Sequence, residues 1–149
     1  MLKKSVFIFA ALLCNGCSFL SNEKVFHFKN FSEIPQEEGI STWIPSFMPA
    51  DATQISIYRN LDLGTVFGNY TSIVGLKLSN DLLQLNKESM PLSVKNIILR
   101  NTGLKFAEVQ FFCSKYEQEV VISDMQNHVV FFYSDKMIEN GFCEKHSGE

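Results

Sequence analysis

The chain has 149 residues, with 13 Lys and Arg set against 16 Asp and Glu for a formal charge of −3. It contains no basic cluster, which argues against nucleic acid or a polybasic membrane patch as partner. Fourteen Phe residues with only 8 Gly and 4 Pro suit one globular domain with its own core rather than a disordered chain.

Lys3 and Lys4 precede an uncharged apolar run from Val6 to Leu13. A helix that crosses a bilayer needs roughly 20 apolar residues, so this run fits the core of a secretory signal, which is removed. The run ends in Leu13-Cys14-Asn15-Gly16-Cys17-Ser18, which resembles a bacterial lipobox. The resemblance implies a signal peptide over 1–16, cut after the small Gly16, and lipidation at Cys17 with acyl chains such as palmitate. Cys14 departs from the pattern, standing where Leu is usual, and is a poor acceptor itself because Leu13 would precede it. Ser18 then points to the outer membrane, by analogy with sorting in enteric bacteria. The expectation is a lipid-anchored lipoprotein on the periplasmic side of the bacterial outer membrane.

Residues 17–30 read as a tether, in which Val25, Phe26 and Phe28 can add an edge strand; 31–149 read as a single domain. FSEIPQEEG predicts a short helix stopped by Gly39, with Pro35 in its first turn. In STWIPSFMPADATQI each proline keeps the preceding residue, Ile44 or Met48, out of the helical region. At most one turn fits between Pro45 and Pro49. Trp43, Pro45, Phe47 and Pro49 therefore define a structural motif, a plug on one end of a sheet with Trp43, Ile44 and Phe47 buried. Ile55, Ile57 and Leu61 then alternate with polar residues, and Asp62-Leu63-Gly64 turns the chain into a second run, Thr65 to Val74, which makes a hairpin.

Leu78, Leu82 and Leu85 recur at helical spacing, bounded by Met90-Pro91. LSVKNIILR, residues 92–100, is compatible with helix or strand, and Asn101-Thr102-Gly103 with a turn. In KFAEVQFFCSK, Ala107, Val109, Phe111 and Cys113 share one face of a strand. Val120–Ile122 and Val129–Tyr133 flank Asp124-Met125-Gln126-Asn127 as a second hairpin. The fold class expected is α+β: an antiparallel sheet of hairpins with one or two helices on a face.

The string EEGISTWIPSFMPADATQISIYRNLD resembles the conserved stretch of a group of uncharacterised small bacterial lipoproteins. Gly39, Trp43, Pro45, Pro49, Ala52 and Ile55 carry the likeness, and a later Cys closing a strand before a hairpin is similar at Cys113 and 120–133. The resemblance implies a lipoprotein and supplies no chemistry.

After export, Cys113 and Cys143 are the pair available for an intrachain disulfide, in an oxidising compartment. Cys143 and His146 have the spacing of a metal or nucleophile pair, with Cys113 as a third ligand. No second ligand pair accompanies them, so neither a metal nor a cofactor is expected. Glu37-Glu38, Glu117 and Glu119 read as solvated charges. Asn30-Phe31-Ser32 and Asn69-Tyr70-Thr71 fit a glycosylation pattern that a bacterial lipoprotein does not normally use. The expected function is non-enzymatic binding of another envelope component, an unknown envelope protein. The alternative is a periplasmic inhibitor or immunity protein against a toxin or cell-wall hydrolase.

Overall fold

Alternating hydrophobicity dominates the chain, and the computed structural model, which describes residues 22–35, 40–136 and 138–147, turns it into seven strands. They are β1 (Glu23–Asn30), β2 (Thr53–Asn60), β3 (Thr65–Thr71), β4 (Leu82–Gln84), β5 (Gln110–Ser114), β6 (Glu119–Asp124) and β7 (Val129–Ser134). One sheet contains them all in the order β1-β2-β3-β7-β6-β5-β4, every neighbouring pair antiparallel. Both expected hairpins form, β2–β3 and β6–β7. The turn of the second is fastened by the Asp124 carboxylate, which accepts from the N–H groups of Gln126 and Asn127. Strand β1 pairs with β2 from Glu23 onward, so the sheet begins within the stretch read as a tether.

Each strand sends alternate residues to opposite faces. On the first face Phe111, Cys113, Val120, Ile122 and Tyr133 form a core with Val94, Ile138 and Phe142. On the second, Ile55, Ile57, Tyr70, Val121, Val130 and Phe132 pack against Phe47, Met48 and Ile34. Strand β6 is covered on both sides, which is why VVI is continuous there rather than alternating. Gly68 lies directly opposite Phe132, whose ring fills the space a side chain would take: a Cβ at Gly68 would stand 2.2 Å from it.

Two short helices, α1 (Leu92–Thr102) and α2 (Phe142–His146), contribute Val94, Phe142 and Cys143 to the first-face core. Residues 92–100 are thus helix, and the turn expected at 101–103 is its end, where Gly103 adopts φ 69° and donates its N–H to the Leu99 carbonyl. Cys113 on β5 and Cys143 on α2 are joined as the expected disulfide, with Cα atoms 5.4 Å apart.

Three expectations fail. Leu78, Leu82 and Leu85 make no helix. Leu78 is 74% exposed, while Leu82 and Leu85 are buried in cores on opposite faces. That alternation belongs to β4, whose backbone completes the edge of β5. Of the helix expected over 31–39, the described residues 31–35 contain a single 3₁₀ turn, Phe31–Glu33, and residues 36–39 with the expected stop at Gly39 lie outside the described residues. Ala107 is exposed in a second such turn, so β5 starts later than expected. The signal peptide and Cys17 also lie outside the described residues.

Candidate functional site

The antiparallel register lines up one row of residues across the second face. Lys24 is opposite Arg59, Arg59 opposite Val66, and Val66 opposite Ser134. Ser134 stands beside Glu119, one step beyond the Val120–Tyr133 pair, and Glu119 is opposite Ser114. Residues distant in sequence become a line with cations at one end, a small apolar and hydroxyl middle, and a carboxyl at the other.

Two loops wall this row. On the cation side Trp43 packs edge-on against Phe26 at 5.4 Å. The Arg59 guanidinium lies over its ring at 4.8 Å and the Lys24 ammonium at 5.5 Å. On the other side the β5–β6 turn carries Tyr116, 83% exposed, and Glu117. Glu117 fastens the two walls together: it accepts from the Ser46 N–H at 2.8 Å and from the Ser114 hydroxyl. Between them is a cleft of about 250 Å³ lined by Trp43, Arg59, Val66, Tyr116, Glu119 and Ser134. A larger hollow of about 580 Å³ adjoins it across Glu117 and Ser134 but is shallow and more open.

Glu119 is the unusual member. It is 6% exposed, and its Oε2 has no hydrogen-bond partner among the described residues. Burial, reinforced by Glu117, pushes its carboxyl up to about 8 against the opposing pull of Arg59. Folded Glu119 therefore holds its proton where the same group in the unfolded chain, near 4.5, has lost it. The folded state binds the extra proton, so this contribution is complete below 4.5 and is lost as pH rises toward 8. Each unit in that window is worth about 1.4 kcal/mol. The melting temperature is expected to fall between pH 5 and 8, and Glu119→Gln to flatten that fall and melt above wild type at pH 8. Comparison with the variant cancels other groups, among them His146, whose burial lowers its value. Parallel melting curves for the two proteins across this range would show that Glu119 is ionised in the fold.

The sequence motif enters this site differently from expectation. Phe47 is buried at 1% exposure and Pro45 and Pro49 are buried too, while Trp43 and Ile44 are only half-buried. The turn Pro45–Met48, closed by a 3.0 Å bond between Met48 N–H and the Pro45 carbonyl, drives Phe47 inward and leaves Trp43 at the rim. Glu119 is not a solvated charge, because it opens a strand covered on both faces; Glu117 is held by the loop it anchors. Arg59, Tyr116 and Lys24 carried no sequence signal, since the register that unites them links distant strands. Cys143 is committed to its disulfide, which removes it as a metal ligand or nucleophile beside His146. His146 is buried against the Phe142 ring at 4.6 Å. Among the described residues no group of three His, Cys, Asp or Glu could hold a metal.

The described residues thus form a small, mostly β domain with a seven-stranded antiparallel sheet, two short helices and a polar-aromatic cleft on one face. The family model of the YbbD head domain matches residues 22–71, the span of β1, β2, β3 and the WIPSFMP segment. No solved structure matches the chain.

Proposed function

We propose that this chain is a bacterial envelope lipoprotein, anchored through Cys17 to the periplasmic side of the outer membrane, whose α+β domain binds another envelope component and catalyses no reaction. The observation that carries the binding role is the cleft. Its walls are fixed by Glu117 and by the contact of Arg59 with Trp43, and Glu119, which lines it, has a buried carboxyl oxygen with no partner among the described residues. Prefixed walls lower the entropy lost on binding, and an unpaired buried acceptor gains most from a donor supplied by a ligand. The chain enters the sheet at Asn22, which bonds to Asp62 and Leu61 at the end of the sheet that holds the cleft. A lipid on Cys17 would keep that end within roughly 20 Å of the membrane surface, at about 3.5 Å per residue.

Two measurements in living cells test the reading. A palmitate analogue is expected to label the wild-type chain and not Cys17→Ser, which should accumulate as precursor; an unlabelled, soluble wild-type protein removes the anchor. A photo-crosslinking residue in place of the exposed Tyr116 is expected to capture an envelope component. A chain that is labelled but yields no adduct from this position removes the binding role of the cleft.

A further inference from the structure

The charges around the cleft are ordered, not mixed. Arg59 and Glu119 stand on β2 and β6, separated by β3 and β7. Three strand spacings place their Cα atoms about 14 Å apart along one row. Between them the row offers only Val66 and Ser134, neither of which fills the space between the longer side chains. The Arg59 guanidinium carbon lies over the Trp43 ring at 4.8 Å, and Arg59 lines the cleft, where its N–H groups suit a carboxylate or phosphate. At the far end Glu119 lines the cleft with Glu117 beside it; its Oε2 is buried without a partner among the described residues, and its carboxyl holds a proton at neutral pH. An ammonium placed there would release that proton to solvent and pair with the carboxylate left behind. The cleft is too small for a folded partner to enter and is sized for a single compact group.

We infer that the cleft binds a small zwitterion, its anionic group on Arg59 and its ammonium group on Glu119, with Trp43 and Tyr116 flanking the chain between them. Free amino acids and the headgroup of a zwitterionic phospholipid share this chemistry. A single-charge ligand would satisfy one end and leave the other as it is. The inference names a ligand for the cleft of the proposed binding role but does not depend on the lipid anchor.

Trp43 is the chain's single tryptophan, so its fluorescence reports directly on the Arg59 end. The purified protein is titrated with glycine, 4-aminobutyrate, 6-aminohexanoate and glycerophosphoethanolamine, and separately with acetate and butylamine. At least one zwitterion is expected to give a saturable change, at least tenfold tighter than either single-charge compound. Preference for an amino acid assigns the carboxylate class, and preference for glycerophosphoethanolamine the headgroup class. Arg59→Gln and Glu119→Gln, each checked for wild-type circular dichroism, are expected to weaken that binding at least tenfold. Flat titrations with every zwitterion overturn the inference, as does acetate or butylamine binding as tightly as the best zwitterion. Because these comparisons are made on the wild-type protein, they stand even if a variant fails to fold. A flat titration together with a crosslink from position 116 would remove the zwitterion and leave the partner-binding role in place.

Discussion

Phe47→Ala is expected to lower stability by about 3–5 kcal/mol, the usual cost of deleting a buried aromatic ring. The ring is 1% exposed, meets Phe132 edge-to-face at 5.9 Å and lies in the core of the second face. Phe132 in turn fills the gap over Gly68, so the cavity would open beneath a ring that has no side chain below it to lean on. Trp43→Ala should cost less, because Trp43 is half-buried and its main contacts are Phe26 and two cations. Paired thermal melts decide between the two. If Trp43→Ala melts as low as Phe47→Ala or lower, the tryptophan is the true plug and the cleft loses its rim role.

Reduction of the Cys113–Cys143 disulfide should have an effect of similar size. The bond closes a segment with a sequence separation of 30, and releasing it returns about 3–4 kcal/mol of chain entropy to the unfolded state. For a domain of this length that corresponds to roughly 10–15 °C in melting temperature. The loss should be concentrated at α2, which Cys143 pins to β5. Hydrogen exchange should therefore rise first at the backbone bond from Asn86 N–H to the His146 carbonyl. A melting point unchanged by reductant, with two free thiols titrated, would show that the bridge contributes nothing to the fold.

Both hairpins were legible because two signals agreed in each, alternation along the strands and turn residues between them. Asp62-Leu63-Gly64 and Asp124–Asn127 marked turns, and Ile55, Ile57, Val130 and Phe132 marked the inward face. The disulfide was legible from the expectation of export and from the position of Cys113 on a buried face. Leu78, Leu82 and Leu85 misled because a three-residue edge strand is too short to display its own period; pairing with β5, not local preference, decides its conformation. WIPSFMP announced a rigid apolar knuckle, yet nothing local distinguishes the residue that turns inward from the one left at the rim. The cleft was least legible of all. Its row exists only because β3 pairs with β7, and no local pattern encodes which distant strands become neighbours.

That same pairing governs how the molecule is assembled. β1, β2 and β3 form one meander from neighbouring segments, β5, β6 and β7 another, and among the described residues β3–β7 is the only strand pair that joins them. The disulfide ties α2 to β5, both on the β7 side of this seam, so among the described residues no disulfide crosses it. The span matched by the family model ends at Thr71, the last residue of β3, and so at this same seam. A chain made or exported from its N-terminus completes its first meander while Val129–Ser134 is still to come, leaving the whole length of β3 as an open edge in the interim. The β3–β7 pairing step carries the largest loop-closure cost among the described strand pairs, since Val66 and Ser134 are the partners farthest apart in sequence. Crowded chains that miss this step would exchange halves between copies, because the β7 of any copy presents the same edge.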